Sequence, residues 1–431
     1  MVQRLRAGER PADRRHGVPP ARRRRDRRGA AGVEDPRLLL PPAAAAHRRR
    51  RAGARGDDAV NLRNTPTREF DFILLLAAIG LTVYGAALIY SGSLTTYGSP
   101  GQALSHPVTR QAIFAAIGLV AMAAMSRFDY RLLGPASLAL YVASIAGLLF
   151  VLAVGASAYG SRRWIEIGGT QVQPSEIAKV CTVIVLAKYF SDNEQKMKSL
   201  RVFATSMLIA GLPAVLVLVE PDLGSALVFG VIWLAMVVVA GVRPLHMLGL
   251  TAVVAALSPA IYAFAEGYQK SRIDSWLDPG KDPLGKGFNI LQAEISIGSG
   301  GMFGKGFTHG TQTQLDYLRT QTTDYVFSVG AEELGFVGAM VLFGLFVIVL
   351  FRCLRVAGLA DDTFGRLIAV GVMSFILFQV FVNIGVNIRL VPVTGVPLPL
   401  VSQGGSSLVT ILASLGIVQS VLGYRRRRRR G

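Results

Sequence analysis

The chain has 431 residues, of which 51% are hydrophobic and only 17% charged, yet its formal net charge is +19. The excess sits at the ends: residues 1–69 hold 19 Arg, no Lys and 8 acidic residues, six Arg run from Arg425 to Arg430, and residues 70–424 carry 21 basic against 19 acidic side chains. A nearly neutral, strongly apolar body excludes an ordinary soluble domain and a nucleic-acid binder, whose basic residues would spread across a folded face; a polytopic membrane protein remains.

Residues 1–69 form a basic N-terminal extension. Within 1–59, Arg, Ala, Pro and Gly dominate, with the runs Arg22–Arg25 and Arg48–Arg51 and no sustained apolar periodicity. Such a segment cannot bury enough surface to offset its ordering entropy, so disorder is expected. It also lacks the apolar core of a secretory signal. It reads either as a cytoplasmic tail drawn to anionic lipid or as the product of a start codon upstream of the true one near Val60; the second is preferred. The two cysteines, Cys181 and Cys353, lie in or beside apolar segments, and the five His are scattered. Neither pattern suggests a disulfide framework or a zinc cluster.

A hydrocarbon core of ~30 Å needs about 20 apolar residues per helix. Ten segments qualify: 71–91, 111–126, 135–155, 175–190, 202–219, 223–241, 245–265, 325–351, 366–388 and 404–423. Alternate loops carry Arg127 and Arg131, then Lys188, Lys196, Lys198 and Arg201, then Arg243, then Arg352, Arg355 and Arg366. Together with Arg63, Arg68 and the basic tail 425–431, they mark one side as cytoplasmic, with both termini inside. The opposite side receives 92–110, 156–174, 220–222, 389–403 and one long loop, 266–324. A long loop among short ones is where function concentrates.

Some polar residues in the spans demand partners. Pro174 suits a first helical turn, and Glu176 and Lys179 lie three apart on one helix face, as a structural ion pair would. Glu332 and Glu333 enter the eighth span and need a donor, with Arg110 or Lys179 as candidates. Glu220-Pro221-Asp222 reads as turn punctuation. Gln379 and Asn383 present two amides on one face for interhelical hydrogen bonds. Pro392, Pro397, Pro399, Gly395, Gly404 and Gly405 describe irregular backbone, tolerated at membrane depth only when buried in protein or lining a cavity.

In the long loop, Asp274, Asp278 and Asp282 are spaced by four, but Pro279 and Gly280 interrupt any shared helix face. From the residues alone, Asp282 before Pro283 reads as a turn residue or N-cap. Phe288 to Ile297 is compatible with a helix lying on the outer interface. The Gly-rich run Gly298 to Gly306 follows no strand, so it is not a dinucleotide fingerprint. Its amides with Lys305 could still approach an anion.

Several motifs in one order then carry a resemblance. They are Arg162-Arg163-Trp164-Ile165 running into Gln173 to Lys179, then Glu220-Pro221-Asp222-Leu223-Gly224, Asp282-Pro283-Leu284-Gly285, Ala331 to Gly335, and Pro392 to Pro399. Across 70–424 the chain resembles the SEDS family of membrane glycosyltransferases, whose members include RodA and FtsW. His309-Gly310-Thr311-Gln312-Thr313-Gln314-Leu315 is more similar to RodA. The resemblance implies an all-α bundle of about ten transmembrane helices in the cytoplasmic (inner) membrane. It also implies peptidoglycan polymerisation from lipid II on the extracytoplasmic face, in elongation and cell shape maintenance.

The family's essential loop Asp maps onto Asp282, which reverses the turn reading. Arg110, Arg272, Lys305, Glu332 and Glu333 become candidate substrate contacts, alone or with a divalent cation (Mg or Mn) and no organic cofactor. The implied partners are lipid II, a class B penicillin-binding protein, other elongation-machinery proteins and membrane lipid. The chain departs from the family at Arg319-Thr320-Gln321-Thr322, at Gln403, and at Arg389, where Gly is common. Rival readings are a lipid II flippase, a division polymerase of the FtsW kind and a recruiting scaffold. Deleting residues 1–59 is expected to leave membrane insertion and activity intact; loss of either would overturn the mis-start reading.

Overall fold

In the computed structural model the described residues are 69–97, 106–158, 161–167, 170–264, 267–281, 285, 287–315, 317–318 and 320–424. The basic extension, Asp282 and the Arg425–Arg430 run lie outside them. Each of the ten apolar segments is helical: α1 (Phe72–Tyr97), α2 (Pro107–Arg127), α3 (Leu133–Val154), α4 (Pro174–Asp192), α5 (Leu200–Val219), α6 (Leu223–Ala240) and α7 (Pro244–Phe264). The long loop contributes α8 (Gly267–Leu277), α9 (Phe288–Ser299) and the single turn α10 (Thr311–Gln314), and the bundle ends with α11 (Val326–Leu359), α12 (Thr363–Asn387) and α13 (Gly405–Gly423). Among the described residues, eight helices are long and apolar enough to cross a membrane. The chain is thus a helical, multi-pass membrane protein.

α4 does not reach that hydropathy, for a physical reason. Glu176, Lys179, Ser175 and Thr182 are buried among its inward residues, so the helix is covered by protein and need not be lipid-compatible. The bundle is organised around α12, whose apolar window is 78% buried, against 17% for each of the peripheral helices α2 and α3. α12 packs against α4, α6 and α11. The all-α bundle carries one addition. The strands β1 (Ala156–Ala158), β2 (Ser161–Ile167) and β3 (Thr170–Val172) pair in that order as a small antiparallel sheet. The pair Gly168-Gly169 between alternating residues was the available hairpin signal.

The long loop is anchored by a break in α11. Gly335 leaves the helical conformation at φ 66, ψ −162, which orphans the carbonyls before it and the amides after it. The Gly-rich run supplies the missing partners. Lys305 N donates to Glu332 O at 2.9 Å and Gly306 N to Glu333 O at 3.0 Å. Phe336 N and Val337 N in turn donate to Gly301 O at 2.9 Å and Met302 O at 3.1 Å. Four backbone bonds therefore strap the loop to the broken helix, as backbone within a membrane-spanning element requires. The approach is so close that a Cβ on Gly300 would lie 1.9 Å from Ala331 O, and one on Gly304 2.0 Å from Glu333 O.

The glycines therefore serve helix repair. Gly300 has ordinary helical angles, φ −74 and ψ −24, so Gly300→Ala tests the close approach without backbone strain. It is expected to lower stability by roughly 2–4 kcal/mol through loss of strap bonds. Gly298→Ala, which meets open space, is expected to be neutral or slightly stabilising. Thermal unfolding in detergent would compare them; equal effects would refute the close-packing explanation.

Candidate active site

Ionisable side chains converge at the end of the bundle that carries the long loop. The first group surrounds the start of α6. Asp222 is its N-cap: Oδ1 accepts from Ser225 N at 3.0 Å and Oδ2 from Ser225 Oγ at 2.9 Å. A carboxylate here satisfies orphan amides and favours the positive helix end. Oδ2 also accepts from Gln173 Nε2 at 3.2 Å and faces Arg163 Nη1 at 3.7 Å. Arg163, on β2, donates through Nε to Glu220 O at 3.0 Å and through Nη2 to Pro221 O. The sheet thus delivers a cation to the α5–α6 turn. Glu220 itself is 2% exposed, and its Oε1 has no hydrogen-bond partner. Burial, reinforced by Asp222 and opposed by Arg163, pushes its pKa up to about 8, so it is largely protonated at neutral pH.

The second group surrounds Asp324, just before α11. Burial raises its pKa to about 6, opposed by Arg272, reinforced by Asp222 and opposed again by Arg163. Arg272, on α8, donates to Val393 O at 2.9 Å. The cations of β2 and α8 and the acids of the α5–α6 turn and residue 324 therefore share one electrostatic neighbourhood. Asn383 and Asn387 fix residue 324 by donating to its carbonyl at 3.1 and 2.9 Å. Asn383 also donates to Val396 O at 3.0 Å, so it holds loop backbone and not another helix as anticipated. The Pro-rich segment is buried in protein, with Val396, Leu398, Leu400 and Val401 each at most 3% exposed, which meets the condition for irregular backbone at depth.

Two of the sequence departures are neighbours: Gln403 N donates to Thr322 O at 2.8 Å, and Ser402 Oγ to Thr323 O at 2.5 Å. Gln111 Nε2 reaches Ser402 O at 3.3 Å; the preceding Arg110, near the start of α2, is exposed. Glu176 and Lys179 form a buried ion pair at 2.8 Å. The donor to Glu332 is Lys305, at 2.7 Å, and not Lys179. Glu332 also accepts from Thr311 Oγ1, Gln312 N, Thr313 N and Thr313 Oγ1. Glu333 accepts from Ser91 Oγ at 2.5 Å and Thr308 N at 3.2 Å. Lys305, Glu332 and Glu333, read from sequence as substrate contacts, are thus engaged in holding α10 and the Gly-rich run to α11. A buried carboxylate satisfied by so many donors has a structural task.

Sequence reasoning missed Glu220, Asp222, Arg163 and Asp324 as site residues. Acidic residues flanking Pro221 match turn chemistry, and their burial depends on partners distant in sequence. Among the described residues no group of three or more His, Cys, Asp or Glu is placed to hold a metal ion. Because Glu220 binds its proton more tightly folded than unfolded, its contribution to stability declines as pH rises from about 4.5 to about 8. Glu220→Gln is expected to flatten the fall in unfolding temperature between pH 5.5 and 8.5; an unchanged fall would refute the raised pKa.

A family model described as "Cell cycle protein", covering FtsW, RodA and SpoVE, matches residues 71–427. The chain is 38% identical over 360 residues to the peptidoglycan glycosyltransferase MrdB of Escherichia coli strain K12, covering 83% of this chain and 95% of that protein. It is 35% identical to the probable peptidoglycan glycosyltransferase FtsW of Geobacter metallireducens, covering 82% and 94%. Its fold matches, with TM-score 0.69 and 33% identity over 82% of this chain and 97% of the other, a chain of a peptidoglycan synthase complex that coordinates polymerization and crosslinking. With a broken α11, a buried Pro-rich segment and the motif order all accounted for, the chain belongs to the FtsW, RodA and SpoVE family of cell cycle proteins.

Proposed function

We propose that this protein is a peptidoglycan glycosyltransferase that polymerises lipid II at the extracytoplasmic face of the cytoplasmic membrane. The single observation that carries the reading is the gathering of Arg163, Glu220, Asp222, Arg272 and Asp324 at the end of the bundle from which α8 leads into residues 278–287. Glycosyl transfer from a lipid diphosphate has two demands. The attacking hydroxyl must lose a proton, and negative charge developing on the departing diphosphate must be met by positive charge.

The 4-hydroxyl of one disaccharide attacks the anomeric carbon of another. The bond from that carbon to the diphosphate oxygen breaks, the configuration inverts, and undecaprenyl pyrophosphate departs. Asp282 is the base that takes the hydroxyl proton. Arg272, on the helix leading to it, and Arg110, near the start of α2, are the guanidinium groups assigned to the diphosphate. A divalent cation (Mg or Mn) would supply further positive charge, entering with the phosphate oxygens that Mg favours, since the described residues offer no ready cage. The Arg-rich loops at the other end of the bundle support cytoplasmic termini.

The similarity to a chain of a synthase complex that couples polymerization to crosslinking supports a class B penicillin-binding protein as partner. The His309–Leu315 motif supports a role in elongation. Asp282→Ala, assayed with lipid II and the cognate penicillin-binding protein, is expected to lose glycan chain formation by at least about 100-fold. Undiminished chains would sink the base assignment, and lipid II translocation in liposomes surviving the mutation would favour transport.

A further inference from the structure

Arg389 stands in the turn that ends α12, at φ 56, in the left-handed region that side chains other than glycine avoid. Its guanidinium reaches α8. Nε donates to Trp276 O at 3.1 Å and Nη2 to Leu277 O at 3.1 Å, the carbonyls of the last two residues of that helix. Trp276 Nε1 returns a bond to Arg389 O at 3.0 Å. Nη1 meets Glu294 Oε1, on α9, at 3.5 Å. The last carbonyls of a helix lack intrahelical partners, and a planar cation satisfies two of them while complementing the negative helix end. The Glu294 contact is half-exposed and weak by itself; the paired carbonyls and the returned indole bond make the junction.

α8 and α9 are the helices on either side of residues 278–287, the stretch that includes Asp282. We propose that Arg389 is a positioning residue for this stretch: it joins the end of α8 to α12 and, through Glu294, to α9, and so sets where the chain between the two helices begins and ends. The inference rests on Asp282 being the base. Arg389 contacts α8 and α9. Its effect is transmitted through the end of α8, which also carries Arg272 one turn earlier. A base displaced by about 1 Å can cost up to 100-fold in rate while leaving ground-state binding in place.

The test uses the full chain with its cognate penicillin-binding protein and lipid II, comparing Arg389→Gly, Arg389→Lys and Asp282→Ala. Glycine relieves the backbone strain, so the unfolding temperature of Arg389→Gly is expected to be maintained, which removes misfolding as an explanation. Its kcat is expected to fall about 10-fold with KM for lipid II changed less than about two-fold, and hydrogen exchange at 267–281 is expected to rise. Lysine, a point donor without the fork, is expected to restore part of the rate. Wild-type kcat in Arg389→Gly beside an inactive Asp282→Ala overturns the proposal alone, as does a rate loss without faster exchange. An active Asp282→Ala overturns the base assignment and the proposal together.

Discussion

Everything at the loop end of this protein depends on how the broken helix α11 recovers its hydrogen bonds. A membrane-spanning helix satisfies its own backbone, and a break at Gly335 forfeits that self-sufficiency. The repair comes from residues 301–306, which bond on both sides of the break. This repair makes the loop part of the bundle. Once Gly301 to Gly306 are held, Lys305 is delivered to Glu332 and α10 is seated on the same carboxylate. α11 then starts immediately after Asp324, whose carbonyl is held by two asparagines of α12.

From that frame the electrostatics follow. Two arginines and three acids converge from β2, α8, the α5–α6 turn and the start of α11, all from different parts of the chain. Asp222 is doubly useful, as the cap of α6 and as the partner of Arg163. Glu220, a short step away, is driven toward neutrality by burial.

The helices were legible because apolar length is a strong signal: all ten segments are helical, and among the described residues eight are long and apolar enough to cross a membrane. The Glu176–Lys179 pair was legible because its partners are local, three residues apart. What escaped was the sense of long-range contacts. Lys305 and Glu332 are 27 residues apart, and Arg389 and Trp276 are 113 apart; no periodicity links them. Glu220 and Asp222 looked like punctuation because Pro221 sits between them, and only packing against Arg163 and Gln173 distinguishes a buried acid from an exposed turn. The small sheet escaped because its one hairpin signal, Gly168-Gly169, lay inside a stretch read as an outer loop. The family motifs pointed to Asp282, which composition and spacing alone read as a turn.

The buried ion pair of α4 bears on how the protein is made. A helix carrying Glu176 and Lys179 inside its first turns is a poor candidate for entering hydrocarbon unaided. Its final covering comes in part from α12, which the ribosome delivers almost two hundred residues later. During synthesis α4 must therefore be held by its hairpin partner α3, by the pairing of its own two charges, or by the insertion machinery, until α12 arrives. Biogenesis of this enzyme is then a matter of order as well as sequence, and its central helix acts as the closing member of an assembly that cannot be completed span by span.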